Sequence, residues 1–275
     1  MTKTEHPKLR QLRKFIAGRT VCFQIPGPSI VHLSDYLDAI PKDVVWMGHN
    51  FFRSTERIID KIERRLDLVY VSCVQTIRAQ SEVYQEFLAR EDDNLFLTTT
   101  GALSTLEERE PGLLKKFSKK IIIVRCEPGS PKSKRAFEVV QFPGPWFSFV
   151  FATLTIMKAG ANRIVFFGLD GGLLEGYSQW YYGAAEDYPR GWFRPEPSGY
   201  TSEVDFVNRE WASIVKAAKL DKSEFCIYNC SPRSRIECFE RISYEDLPRV
   251  FGGVLKGRKE NDKIGIGGGS VSHGT

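Results

Sequence analysis

The sequence is poor in the residue types from which metal sites are built. Only four of its 275 residues are histidine, and they lie far apart, as do most of the six cysteines. Cys226, Cys230 and Cys238 are closer together, but no second ligand pair stands at metal spacing. We therefore expect buried free thiols and no metal site.

Long apolar runs are also missing from the sequence. No segment has the length needed to span a bilayer, and the first residues lack the apolar core of a signal peptide. We therefore expect a cytoplasmic protein. Residues 1–18 predict a basic helix that docks on the body through Leu9, Leu12, Phe15 and Ile16, and peripheral attachment to the inner face of the membrane stays an open alternative.

The sequence has only a small excess of charge of one sign. It contains 39 lysines and arginines and 34 acidic residues, which gives a net charge of +5. This mild excess suits an acidic or phosphorylated ligand, whereas nucleic-acid binding would need a denser basic patch. The hydrophobic content of 42% and charged content of 27% are those of a globular protein with a substantial core. Self-association is left open by this composition.

The stretch Val21–Ile30 reads V-C-F-Q-I-P-G-P-S-I and has strand composition in its first half. It then breaks into four turn residues, which are Pro26, Gly27, Pro28 and Ser29. Residues 30–40 have helical spacing. A strand that ends in a glycine-containing turn and leads into a helix can present N–H groups to a phosphate. The stretch is neither a Walker loop nor G-x-G-x-x-G, and an ordinary strand-to-helix turn fits it equally well.

Short apolar strands alternate with amphipathic helices along the chain. Strands are predicted near residues 43–50, 68–72, 95–98, 121–124, 163–168 and 225–229. Helices are predicted at 54–66, 76–90, 103–118, 145–160, 203–219 and 244–250. This alternation predicts an α/β fold, with a Rossmann-like, mostly parallel sheet covered by helices on both faces. We expect one domain over residues 19–256 and a disordered tail over 257–275.

Two features of the second half predict a ligand site. The strand at 163–168 ends in Gly168 and is followed by Asp170, and ligands in open α/β sheets bind outside the carboxyl ends of strands. The segment 171–202 is rich in aromatic residues, glycine and proline, which predicts a lid over a ligand.

Four short motifs occur in the order I-P-G-P-S, W-F-S-F-V-F-A, F-F-G-L-D and I-Y-N-C-S-P-R-S. In order and spacing they resemble the bacterial sialyltransferases of the Campylobacter type and the related flagellin-modifying and 6-hydroxymethylpterin diphosphokinase-like proteins. The resemblance covers residues 20–245. It implies a Rossmann-like fold that binds a CMP-activated sugar and transfers the sugar to a glycan acceptor.

The resemblance also implies site residues. The family's Gly-Asn-Gly-Pro-Ser turn matches residues 25–29, with Pro26 in place of the asparagine. The implied nucleotide-binding set is Pro26, Gly27, Pro28, Ser29, Asn50, Ser72, Ser148, Gly168 and Asp170. Two family tyrosines that help the phosphate to leave match candidates among Tyr177, Tyr181 and Tyr182.

The family's catalytic histidine has no counterpart in the predicted lid, because no histidine occurs between His49 and His273. The matching position falls at Tyr200, whose ordinary pKa near 10 is high for a general base. Asp187, Asp205 and His49 are the alternatives. The first reading is thus a metal-independent, cofactor-free glycosyltransferase; the others are a non-catalytic nucleotide-binding protein and a diphosphokinase-like enzyme.

Overall fold

The chain folds around one nine-stranded parallel sheet. A computed structural model describes residues 5–125, 136–139, 148–171 and 198–252, with side chains in the last range from residue 204 onward. The strand order is β6-β5-β4-β3-β2-β1-β7-β8-β9, and every neighbouring pair is parallel. This confirms the predicted α/β, Rossmann-like class.

The strands are short, as is usual for a sheet buried on both faces. They are β1 (Thr20–Gln24), β2 (Val45–His49), β3 (Leu68–Val71), β4 (Leu95–Thr99), β5 (Ile121–Arg125), β6 (Ala136–Glu138), β7 (Arg163–Phe167), β8 (Cys226–Asn229) and β9 (Glu240–Arg241). The helices are α1 (Pro7–Ile16), α2 (Phe52–Asp60), α3 (Val74–Ala89), α4 (Thr100–Arg109), α5 (Leu113–Lys116), α6 (Ser148–Lys158), α7 (Ser198–Ala217) and α8 (Leu247–Gly252).

The strand order reverses at β1. The chain moves outward from β1 through β6 and then returns to place β7 on the other side of β1. Parallel strands that diverge in this way leave a crevice at their carboxyl ends, where α/β proteins bind ligands. A ligand site is therefore expected at the carboxyl ends of β1, β2 and β7.

Apolar side chains form one layer on each face of the sheet. One layer packs α1, α6 and α7 against the inward-facing residues of the strands, and its centre includes Phe23, Phe166 and Trp211. The other packs the segment after β1 together with α2, α3, α4 and α8, around Trp46, Phe96 and Phe167. Alternation along the strands decides which face each residue covers.

Several boundaries differ from the sequence-based predictions. The helix expected at residues 30–40 is wrong, since two 3₁₀ segments, Pro28–Asp35 and Leu37–Ala39, stand there. The helix expected at 103–118 is interrupted at Gly112, which has a φ of 87°. Helix α7 begins at Ser198, so the last residues assigned to the lid are helical. Strands β6 and β9 were not predicted, because two or three residues carry too little pattern.

The basic N-terminal helix α1 docks on the body as predicted. Leu12 and Ile16 are fully buried, and the Arg13 guanidinium donates to the Lys158 carbonyl at 3.0 Å. The apolar stripe of α1 is thus used inside the protein. In the part of the chain that the structure describes, no helix combines the length and apolar character needed to cross a membrane.

Candidate functional site

The turn that follows β1, residues 25–30, is called here the Gly27 turn. Its N–H groups all have partners within the protein. Gly27 N–H donates to the Ile25 carbonyl at 2.8 Å, Ser29 N–H to Asp170 Oδ2 at 2.9 Å, and Ile30 N–H to the Gly27 carbonyl at 3.2 Å. Pro26 and Pro28 have no N–H. The N–H groups expected to face a phosphate are therefore engaged.

Glycine at position 27 is explained by close packing against the end of β7. A Cβ added to Gly27 would lie 2.1 Å from the Gly168 carbonyl oxygen and 2.5 Å from Asp170 Oδ2. Gly168 has a φ of +74°, and a Cβ there would lie 2.1 Å from the Ile25 carbonyl oxygen. The two glycines allow the ends of β1 and β7 to touch.

Asp170 holds this contact from the β7 side. Asp170 is 3% exposed, and burial raises its pKa above the ordinary value, while hydrogen bonding from Ser29 acts in the opposite direction. The Tyr244 hydroxyl donates to the Ser29 carbonyl at 3.2 Å, and Arg235 N–H donates to the Asp170 carbonyl at 2.8 Å. The Asp170 carboxyl group therefore works as a clasp between the end of β7 and the Gly27 turn.

A second polar cluster lies at the carboxyl ends of β2 and β3. We call it the His49 cluster, and its members are His49, Asn50, Ser72 and Ser148. His49 Nε2 is 2.7 Å from Ser148 Oγ, and Asn50 Nδ2 is 3.5 Å from the same oxygen. Asn50 Oδ1 accepts the Ser72 N–H at 3.1 Å. Four polar residues that the sequence analysis selected separately thus meet at one point.

The environment of His49 fixes its charge. The ring is 7% exposed and stacks on Tyr70 with a centroid distance of 6.3 Å. Burial lowers the pKa of His49 to about 3, so the imidazole is neutral near pH 7. A neutral ring accepts or donates hydrogen bonds well, but it is a weak base.

Asn50 holds its position in an uncommon backbone conformation. Its φ is 41°, which is a left-handed value, and such residues cluster at functional sites. The Tyr84 hydroxyl donates to its carbonyl at 3.3 Å, and its own N–H donates to the Tyr70 carbonyl at 2.9 Å. Several hydrogen bonds therefore fix the orientation of Asn50.

Ser148 is the first residue of α6, which is buried along its next nine positions. The first N–H groups of an α-helix have no partner within the helix, and they carry a partial positive charge. No acidic residue occurs in the first turn of α6. Hydroxyl, imidazole and amide groups beside such a helix start can hold a phosphate or a carboxylate.

The structure leaves part of the predicted site untested. Tyr177, Tyr181, Tyr182 and Asp187 lie outside the described residues, together with most of the predicted lid. Tyr200 lies in the first turn of α7, but its side chain is outside the description. Asp205 is on α7 and exposed. Within the described ranges no three histidine, cysteine, aspartate or glutamate side chains stand close enough to share a metal ion.

Some polar residues at this edge were missed by the sequence analysis. Gln24, the last residue of β1, is fully buried, and its amide has no hydrogen-bond partner among the described residues. Ser231 follows β8, and Tyr244 reaches the Gly27 turn from a distant segment. Position directly at a strand end was the available signal for Gln24, whereas nothing local marked Tyr244.

The backbone of this chain is similar to the backbones of several solved structures. No family model and no curated protein matches the chain. The monofunctional alpha-2,3-sialyltransferase Cst-I from Campylobacter jejuni is similar with a TM-score of 0.48 and 12% identity, over 90% of this chain and 86% of that one. The sialyltransferase CstII from the same organism, in complex with the substrate analogue CMP-3FNeuAc, gives a TM-score of 0.44 and 12% identity, over 82% and 85%.

A mutant of the alpha-2,3/8-sialyltransferase CstII is similar with a TM-score of 0.42 and 14% identity, over 82% of this chain and 87% of that one. None of these three structures is a diphosphokinase. At such identities and TM-scores the similarity concerns the course of the backbone only. The function therefore has to be inferred from the residues of the site.

Proposed function

We propose that this protein is a glycosyltransferase that takes a sugar from a nucleotide-activated donor, with a CMP-sugar as the first candidate and a glycan as acceptor. The observation that carries the proposal is the meeting of His49, Asn50 and Ser148 at the start of α6, beside the point where the strand order reverses. The order of the four sequence motifs supports the same class.

In this proposal the donor phosphate lies at the first turn of α6. Ser148 Oγ and the Asn50 amide hold phosphate oxygens, and the neutral His49 orients the Ser148 hydroxyl. As the acceptor hydroxyl attacks the anomeric carbon, negative charge grows on the departing phosphate. The helix start and the polar groups stabilise this charge. A monophosphate can be held in this way without a metal, so turnover should survive excess EDTA.

The Gly27 turn has a different role in this proposal. It holds the ends of β1 and β7 together, and it borders the site without giving N–H groups to the phosphate. Tyr200 and the tyrosines of the segment 171–202 remain the proposed contributors to departure of the phosphate and to proton transfer. Replacement of Tyr200 by Phe should then lower kcat by about 10²–10⁴-fold with little change in nucleotide affinity.

A specific observation favours a second candidate, a nucleotide-binding protein without transferase activity. With a pKa of about 3, His49 is poorly suited to take a proton from an acceptor hydroxyl. It is the histidine that contacts Ser148 at the start of α6. A protein of this second kind binds the nucleotide and transfers nothing.

A panel of CMP, CDP, UDP and ATP tests the proposal by calorimetry and thermal shift. Binding of CMP in preference to ATP, with EDTA present, supports it, and absence of any nucleotide binding refutes it. Release of CMP from CMP-sialic acid in the presence of a glycan acceptor then separates the two candidates. Clear binding without release selects the non-catalytic protein, and loss of activity in EDTA with rescue by Mg²⁺ indicates a diphosphate donor or a kinase.

A further inference from the structure

Arg125, the last residue of β5, is a largely buried cation with weak compensation. Its side chain is 12% exposed, and its ion pair with Glu138 of β6 is 3.5 Å long. Charge-assisted bonds of this kind are usually about 2.7–2.9 Å. Glu138 itself is 58% exposed, and the buried Arg125 Nε has no hydrogen-bond partner in the described ranges. A guanidinium in this setting is expected to have a stronger anionic partner.

The register of the sheet places Arg125 beside the start of α4. Thr99 of β4 pairs with Val124 of β5, and Thr100 and Arg125 each follow this pair by one residue, Thr100 as the first residue of α4. Arg125 follows Ile121 and Ile123 on the face that α4 covers. The first turn of α4 has no acidic residue, and its ten residues give a positive N-terminal end. The Arg125 guanidinium and the N-terminal end of α4 are therefore two electropositive groups on the same face of the sheet.

Thr98 gives an independent indication of a ligand at this place. It is fully buried, lies on the same face of the sheet as Arg125, and its hydroxyl has no hydrogen-bond partner among the described residues. Gly101, in the first turn of α4, is exposed, and an added Cβ there would meet nothing within 4 Å, so a ligand can approach the helix start from solvent. An unpartnered buried hydroxyl and an accessible helix start therefore occur on the same face of the sheet.

We propose that Arg125, Thr98 and the first turn of α4 form a second anion site, here the Arg125 site, which takes the carboxylate or phosphate of an acidic acceptor. The acceptor role rests on the proposed transferase function, whereas anion binding does not. The site lies three strands from β2, or about 14 Å, at the same edge of the sheet but on the opposite face from the His49 cluster. An extended acceptor could reach both.

The probe for the Arg125 site is inorganic phosphate, followed by amide chemical shifts in the full chain. The Thr100 and Gly101 amides should shift on titration, and Arg125→Gln should weaken the affinity at least ten-fold. Glu138→Gln should act in the opposite direction and tighten binding, because it removes the competing carboxylate. Arg53→Gln, which breaks an exposed ion pair with Glu86 on other helices, is the matched control and should change nothing.

The opposite signs of Arg125→Gln and Glu138→Gln keep the test clear of folding effects, since a merely structural ion pair would be damaged by either change. Equal phosphate affinity in the wild type and in Arg125→Gln, weaker binding in Glu138→Gln, or no shift of Thr100 and Gly101 would each overturn the proposal. Glucuronate and glucose 6-phosphate as further probes distinguish a carboxylate from a phosphate ligand.

Ser148→Ala separates this site from the donor site. It should weaken CMP binding and leave phosphate binding at Thr100 and Gly101 unchanged. If CMP binds at the His49 cluster but phosphate does not bind near Arg125, the second site is refuted and the proposed function stands. If phosphate binds near Arg125 and no nucleotide binds anywhere, the anion site stands and its acceptor role is refuted with the transferase.

Discussion

The Gly27 turn and the His49 cluster stand at the same edge of the sheet and use their polar groups in opposite ways. In the turn every N–H is bonded within the protein, and a buried carboxylate closes the contact between β1 and β7. In the His49 cluster neutral side chains converge on the start of a helix that has no acidic residue in its first turn. The first arrangement stabilises the crevice, and the second can bind an anion.

The comparison shows why composition alone is a poor guide to a phosphate site. A glycine between two prolines looks like a loop that admits a ligand, yet Gly27 admits Gly168 and Asp170 instead. The energetics of the two clusters should therefore separate on mutation. Changes in the turn should act on stability, and changes in the cluster should act on ligand affinity and on the response to acid.

The largest effect is expected for Gly27→Val. The new side chain cannot fit between the turn and the Gly168 carbonyl, so the variant should lose about 3 kcal/mol or more of unfolding free energy. Urea denaturation measures the loss. Gly252→Ala, where an added Cβ meets no atom within 4 Å, is the control and should change stability by less than about 1 kcal/mol. An unharmed Gly27→Val protein would contradict the clasp.

The next effect concerns acid and the His49 cluster. The folded chain holds His49 neutral with a pKa of about 3, against an ordinary value of 6.5, so the unfolded chain binds the proton first. Stability is then lost as the pH falls below about 6.5, by about 2 kcal/mol near pH 5. His49→Gln should flatten this part of the profile. Identical acid profiles in wild type and His49→Gln would refute the buried neutral state.

The pH dependence of stability expected at Asp170 has the opposite sign. Burial raises its folded pKa above the ordinary 3.8, so the stability it gives below about pH 4 is lost as the pH rises through the folded pKa. Asp170→Ala leaves Ser29 N–H without its acceptor and should cost about 1–3 kcal/mol. Asp170→Asn keeps an acceptor oxygen and carries no charge. Its stability relative to the wild type should improve as the pH rises from about 4.

Urea unfolding of both Asp170 variants across this pH range provides the measurement. If Asp170→Asn lost as much stability as Asp170→Ala at every pH, the carboxylate would have a role other than an acceptor for Ser29.

Much of the fold could be predicted from the sequence because its signals are local. Apolar strands, amphipathic helices and the glycine stop at Gly160 are each written within about a dozen residues. The α-helix predicted after the turn failed, since Pro28 starts a 3₁₀ segment and Tyr36 ends it with a φ of −123°.

The site was harder to predict, because its contacts join distant parts of the chain. His49 and Ser148 are 99 residues apart, and Ser29 and Asp170 are 141 residues apart. All four residues can be selected from the sequence, but the pairs that they form cannot. The pairs depend on the strand order, which places Asp170 beside the N–H of Ser29 and places Ser148 beside His49.

The central claim is that the ligand binds at the His49 cluster and not at the Gly27 turn, and two matched variants test it most directly. Ser148→Ala and Ser29→Ala each remove one hydroxyl at the same edge of the sheet, and calorimetry with CMP measures both. We predict that Ser148→Ala weakens CMP binding at least ten-fold, or about 1.4 kcal/mol, while Ser29→Ala changes it less than about three-fold. A ten-fold loss in Ser29→Ala with normal affinity in Ser148→Ala would contradict the account.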